Sequence, residues 1–212
     1  SPSCGMERVR IYDADGKNNR KAERGIYTRI LMETFPWLPV EEDGRLHDPV
    51  LRENFIERVY TLHELNQLHA EGLSRGALIA FHSRYKLLLL AHSQPQYREL
   101  GRFVAAINEW DDLEAFFVAY RQKLMDLLAI PATRRNHTNV LMHVQGYFRN
   151  QLNARQRQEL ATLIDSYRQG TQPLLAPLTL LKHYMAEFPD SYLSVQRYFE
   201  PYPEALRLRY GH

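Results

Sequence analysis

From Asp48 onward the chain repeats one pattern: a short polar residue able to cap a helix, apolar residues three and four apart, then a glycine, proline or polar break. That pattern admits only packed helices over most of the chain. Asp48 and Pro49 place an N-cap and a first-turn proline ahead of Phe55, Ile56, Val59, Tyr60 and Leu62, whose spacing is helical. Ser74 can cap a second helix with a stripe of Leu78, Phe81, Tyr85, Leu88 and Leu89, which occupies about a third of the circle at roughly 100° per residue. Two more helices are expected at 97–107 and at 113–128, the latter with Phe116, Phe117, Tyr120, Leu124 and Leu127. Pro131 ends that run. A helix over 137–152 follows, with Val140, Leu141, Val144, Phe148 and Leu152 on one side. Asn153 can cap the next, Gly170 closes it, and proline-bounded helices at 174–188 and 192–198 complete an all-α second half.

The first forty residues have a different texture. Val9, Ile11 and Tyr12 are β-like, 13–19 is a polar turn, and 25–35 has helical spacing. A chain opening at Ser-Pro-Ser-Cys-Gly with no initiator methionine reads as a piece of something longer, whose opening residues have lost their sheet partners. The expected fold is therefore mostly α: a multi-helix domain at 74–212, a linking helix and connection at 48–73, and a short α/β remnant of a truncated domain at 1–47.

Hydrophobic residues at 44% and charged residues at 25% are too apolar a mixture for a disordered chain. The longest apolar run, 87–91, is too short to cross a bilayer, and no signal-peptide pattern opens the chain, so a cytoplasmic location and no membrane partner are the expectation. A single cysteine, Cys4, rules out an internal disulfide and a four-cysteine metal site. The net charge of +2 conceals an uneven distribution, because 132–182 holds seven Lys or Arg against two Asp or Glu while 41–48 is acidic. Polyanions are the natural partners of such a basic region.

On the helix expected from His137, the side opposite the apolar stripe carries Asn139, His143, Gly146 and Asn150, with Arg149 flanking it and Arg135 just before it. Amide, imidazole and guanidinium donors around a glycine suit phosphate and ribose contacts. Gly146 serves equally for close helix packing, with the polar groups simply solvated. Arg134 and Arg135 before this helix, and Arg155, Arg157 and Arg168 on the next, meet one phosphate track if the two helices pack side by side; a solvated basic surface is the other reading.

His82 and Lys86 share the margin of the stripe on their helix, where a histidine is more often a satisfied core-edge group than a catalyst. No His-x-x-x-His pair occurs among the nine histidines, and no nucleophile elbow or phosphate-binding glycine loop is present. Tyr198, Tyr202 and Tyr210 either stack on bases or pin a terminal segment to the bundle.

Two resemblances go beyond these readings. The strings SPSCGMERVRIYD (1–13) and LPVEEDGRLHDPVLRENFIERVY (38–60) resemble the end of the thiouracil desulfidase (TudS-like) domain family, in which three cysteines hold a [4Fe-4S] cluster with one iron open to substrate sulfur. Cys4 matches the last of the three, so the resemblance implies that it is one cluster ligand in an intact parent, with Ser1 and Ser3 as pocket candidates; one thiolate cannot hold a cluster, so none is expected in this chain alone and it should be inactive. The strings FHSRYKLLLLAHS (81–93), NVLMHVQGYFRNQL (139–152), LIDSYRQGTQPLLAPLTLLKHY (163–184) and YFEPYP (198–203) resemble the YbgA-like helical domain family. Fused behind a desulfidase domain, this family implies removal of sulfur from 4-thiouridine in transfer RNA, with the helical part holding the RNA and the missing N-terminal part of the desulfidase domain as its partner. Arg134, Arg135, Asn139, His143, Arg149, Asn150 and Arg155 are then the expected RNA contacts. The rival expectations are a protein-interaction module without nucleic-acid binding, and a helical catalyst using His82, His143 or Tyr147.

Overall fold

The computed structural model describes residues 5, 6, 9–12, 15 and 19–209. Ser1, Ser3, Cys4 and Tyr210 lie outside the described residues. An antiparallel hairpin of β1 (Val9–Tyr12) and β2 (Asn19–Glu23) precedes α1 (Ile26–Thr34), and the Gly25 N–H donates to the Gly5 carbonyl at 2.7 Å. Among the described residues seven α-helices follow: α2 (Pro49–Glu71), α3 (Arg75–His92), α4 (Gln94–Ala105), α5 (Leu113–Leu128), α6 (Arg134–Tyr147), α7 (Ala154–Gln169) and α8 (Leu175–Glu187). The protein is a mostly helical, multi-helix fold.

The helix boundaries are set by the capping residues. Asp48 accepts from the Val50 and Leu51 N–H groups, Ser74 from Ala77, and Thr133 from Asn136. Asn153 and Gln156 form a reciprocal capping box, and Gly170 ends α7 at φ 83°, a conformation that costs a side-chain-bearing residue roughly 1 kcal/mol or more. Each side-chain cap satisfies backbone donors that a helix start leaves open and contributes about 1 kcal/mol.

Helix α3 is the axis of the bundle and packs against α4, α5 and α6, while α6 packs on α7 and α7 on α8. The stripe of Leu78, Phe81, Tyr85, Leu88 and Leu89 is buried, but so are Leu87 and Ala91 on its other flank. A helix apolar on nearly every side belongs at the centre. Phe81 stacks on Tyr85 at 4.5 Å, and Phe103, Phe116 and Tyr120 continue the aromatic core between α4 and α5.

Two elements depart from the sequence reading. On α2 the buried residues include Glu53, Asn54, Glu57, Thr61, Leu62 and Leu65, whereas Val59 of the apolar stripe is 38% exposed. The polar side turns inward because partners from the C-terminal segment meet it: Arg209 donates to Glu53 and Glu57, and Tyr202 to Glu53. With Leu62 and Leu65 in the core, α2 is part of the bundle as well as a connection. Helix α6 ends at Tyr147, so the helix expected over 137–152 starts three residues earlier and stops five earlier. Gly146 weakens its last turn, and Phe148 and Leu152 reach the core from the turn that follows.

Residues 190–209 form a strap across the bundle. The Gln196 side chain accepts from the Leu87 N–H at 3.2 Å and donates to the Ser83 carbonyl at 2.8 Å, while the Arg197 N–H donates to the Arg84 carbonyl.

Candidate nucleic-acid interface

The exposed side of α6 carries Arg135, Asn139, His143 and Gly146, with Met142 among them at 58% exposure. From Arg134 to Gln158 the chain has no Asp or Glu. Arg149 and Asn150 lie in the turn after α6, and Arg155 in the first turn of α7; all three are exposed. Asn150 is thus off the helix on which the sequence spacing places it with Asn139 and His143. Arg135, Arg149 and Arg155 have no carboxylate partner among the described residues.

Helices α6 and α7 run antiparallel. Arg134, at the start of α6, donates to the Tyr167 carbonyl near the end of α7 at 2.6 Å and lies 4.8 Å from the Tyr167 ring, whereas Arg157 in the first turn of α7 reaches the Arg149 carbonyl at 3.0 Å. The basic residues therefore divide between two ends of a helical hairpin about 20 Å long, since fourteen residues rise about 1.5 Å each. Arg134 is bound to the end of α7 and Arg168 to Asp165. Arg134, Arg157 and Arg168 are exposed as well but each is held by a partner, so the exposed cations left for a ligand are Arg135 at one end and Arg149 and Arg155 at the other.

A second cluster lies where α3, α4, α6 and the strap meet. Tyr147 of α6 stacks on Tyr192 at 5.6 Å with 11° between the rings, and His143 meets Tyr147 edge-on at 5.6 Å. The Lys86 ammonium lies 5.7 Å from the Tyr192 ring, and burial followed by the Lys86 charge lowers the basicity of His143. His82 stacks on Tyr97 at 5.7 Å and shares a 3.2 Å hydrogen bond between its Nδ1 and the Tyr120 hydroxyl. Thus Lys86, His143 and Tyr147 come together around Tyr192, and His82, one turn before Lys86 on α3, adjoins them through Tyr97. Tyr97 and Tyr192, which the sequence reading passed over, complete the group; their signal was only that each is an aromatic at the edge of a helical element.

The protonation states in this cluster matter for chemistry. Burial lowers His82 to about 4 and raises Tyr97, Tyr147 and Tyr192, so the imidazole and the phenols are all driven toward their neutral forms. General acid–base catalysis favours groups poised near the working pH, and these shifts move both types away from it. A neutral aromatic surface with one ammonium suits stacking and anion contact better than proton transfer.

A third feature is a cavity of about 190 Å³ lined by Glu53, Asn54, Glu57, Arg134, His137 and Tyr167. Beneath it, Arg209 binds both glutamates, His92 Nε2 lies 3.1 Å from Glu57, and His137 Nδ1 lies 3.0 Å from the Tyr198 hydroxyl. Burial raises Tyr167 to about 12 against the opposing pull of Arg134 and Arg209. These groups bind one another and fix the strap to α2. Among the described residues no group of three or more His, Cys, Asp or Glu could hold a metal ion, and no helix is long and apolar enough to cross a membrane.

The architecture defines a helical-bundle domain with a basic helical hairpin, free of Asp and Glu from Arg134 to Gln158, on one side and a neutral aromatic cluster beside it. The chain belongs to the family described as "Protein of unknown function (DUF1722)", whose model matches residues 86–203. It is also 59% identical over 154 residues to "Uncharacterized protein YbgA" of Escherichia coli (strain K12), a match spanning 73% of this chain and 91% of that one. The YbgA-like resemblance of the four strings is thereby established. No solved structure matches.

Proposed function

We propose that this chain is the RNA-binding helical part of a cytoplasmic protein that removes sulfur from 4-thiouridine in transfer RNA. The observation that carries the reading is the stretch from Arg134 to Gln158, which lacks any acidic residue and exposes Arg135, Asn139, His143, Arg149 and Arg155 along one helical hairpin. A phosphate backbone meets cations there with no carboxylate among those residues to repel it, and amide and imidazole groups between them can reach ribose hydroxyls. The desulfidase half of the proposal rests on the TudS-like resemblance of the first sixty residues. Cys4 is the one cysteine, and a [4Fe-4S] cluster takes three or four protein ligands, so the residues of this chain do not by themselves fit the cluster. On this proposal the cluster and its sulfur chemistry would have to come, with the remaining cysteines, from outside the residues of this chain.

Retention of unmodified transfer RNA on the purified chain, measured between about 50 and 200 mM salt, tests the RNA-binding reading. With three to four cations engaged, affinity should fall by roughly 20- to 150-fold across that range. The triple variant R135E/R149E/R155E should lose retention. Equal retention of the variant and the wild type would overturn the reading and leave protein docking as the function.

A further inference from the structure

The cluster around Tyr147 has the composition of a nucleotide site. Tyr147 and Tyr192 present parallel rings, and Tyr147 is only half-buried on the outer side of α6. Lys86 has no ion-pair partner among the described residues, and its ammonium lies beside the Tyr192 ring. Asp190 is the acidic group in electrostatic reach of both tyrosines, but its Oδ1 already accepts from the Tyr192 and Leu193 N–H groups. Two polar atoms of the cluster, the Tyr192 hydroxyl and His82 Nε2, are buried with no hydrogen-bond partner among the described residues. His82 itself is 8% exposed. Buried polar atoms are normally satisfied, so the cluster departs from the usual pairing at two atoms.

We propose that this cluster takes one unpaired nucleotide of an RNA strand, its base against the rings of Tyr147 and His143 and its phosphate at Lys86. The proposal rests on the RNA-binding reading and adds to it where a base is held. Aromatic rings accept any base face, a lone ammonium supplies the charge, and the exposed His143 ring offers a further edge for a base. The cluster adjoins the exposed side of α6, because His143 belongs to both. A strand tracking Arg135 and Arg149 therefore passes the site without leaving the hairpin. A paired base cannot enter, since its faces are already stacked within the duplex.

The test uses the full chain and a short single-stranded oligoribonucleotide carrying 2-aminopurine, with the same oligomer annealed to its complement as control. Wild-type protein should quench 2-aminopurine emission in the single strand and leave the duplex unchanged. Tyr147→Leu, which keeps an apolar side chain but removes the ring, should abolish the quench and weaken binding about five- to hundredfold, whereas Tyr147→Phe should retain both. Lys86→Gln should reduce the salt slope by slightly less than one while keeping the quench. Quenching that survives Tyr147→Leu, or that is as strong with the duplex, would overturn the proposal. If wild-type protein retains transfer RNA but gives no quench, the nucleotide site fails and the RNA-binding reading stands; if the triple arginine variant retains transfer RNA fully, it is the broader reading that fails.

Discussion

The side chain of Gln196 accepts the Leu87 N–H at 3.2 Å across 109 residues of sequence, and its amide nitrogen donates to the Ser83 carbonyl at 2.8 Å. Ser83 and Leu87 are one turn apart on the central helix, so the strap's side chain clamps the backbone of α3 at both ends of that turn. Positions 82 and 86, which carry the histidine and lysine of the aromatic cluster, adjoin this clamp. Gln196 is 4% exposed, and truncation strands polar groups away from water. Gln196→Ala should lower stability by about 1–3 kcal/mol, and Gln196→Glu by more, because a carboxylate cannot donate to Ser83. Urea unfolding of the three proteins measures this; an Ala variant within roughly 0.5 kcal/mol of wild type would show that α3 needs no support from the strap there.

Arg209 sits against two buried carboxylates, with Nε 2.6 Å from Glu53 and Nη2 3.1 Å from Glu57. The carboxylates hold the guanidinium charged against strong desolvation, and its loss leaves two acids facing each other out of water. Arg209→Met should cost about 3–5 kcal/mol. The triple variant E53Q/E57Q/R209M, which removes all three charges together, should recover roughly half of that loss, as the penalty lies in unpaired charge more than in the pair itself. Denaturant midpoints decide it: a triple variant no better than R209M would mean that the hydrogen-bond geometry outweighs the charge.

Protonation of His82 gives the fold a pH dependence with a definite sign. Burial depresses its pKa from 6.5 to about 4, so between these values the unfolded chain binds a proton that the folded chain refuses. The stabilisation is complete above about pH 6.5 and is lost as pH falls toward 4, by about 3 kcal/mol in all. His82→Asn, able to keep a bond to Tyr120, should flatten the stability–pH curve over that window. An unchanged slope in the variant would assign the acid sensitivity to other groups. Glu64 contributes at lower pH: burial would raise its pKa, but hydrogen bonds from Arg197, Tyr85 and Arg84 together outweigh it and lower the value, so its stabilisation fades as pH drops below the ordinary carboxylate range.

What the sequence revealed and what it hid follow from the reach of each interaction. Asp48, Ser74, Asn153 and Gly170 act on backbone groups within a few residues, and their local signals placed four helix ends correctly. The inward face of α2 depends on Arg209 and Tyr202, about 150 residues away, and no local pattern says that Glu53 and Glu57 have partners. The recurrence of Glu53, Glu57, Thr61 and Leu65 at four-residue spacing was visible, but by polarity it reads as a solvated side. Asn150 lies off the helix for a local reason, the break after Gly146 and Tyr147. The pairing of Tyr147 with Tyr192 required knowing that the strap returns over α3.

The neighbouring arginines at the start of α6 provide the sharpest separation between holding the fold and meeting a polyanion. Arg134 donates to the Tyr167 carbonyl at 2.6 Å and lies over that tyrosine's ring, so it neutralises the negative end of α7 and ties it to α6. Arg135, one residue on, projects about 100° away around the helix and is exposed without a carboxylate partner. Arg134→Ala should therefore destabilise by about 1–3 kcal/mol, and Arg135→Ala by no more than roughly 0.5 kcal/mol. In transfer RNA binding the order should reverse: Arg135→Ala should reduce the salt slope by about 0.7–0.9, whereas Arg134→Ala, assayed where it remains folded, should leave the slope nearly unchanged. Equal slopes for wild type and Arg135→Ala, or a larger slope loss in Arg134→Ala, would place the polyanion on the cavity side of α6 and remove the outer side of the helix from the binding surface.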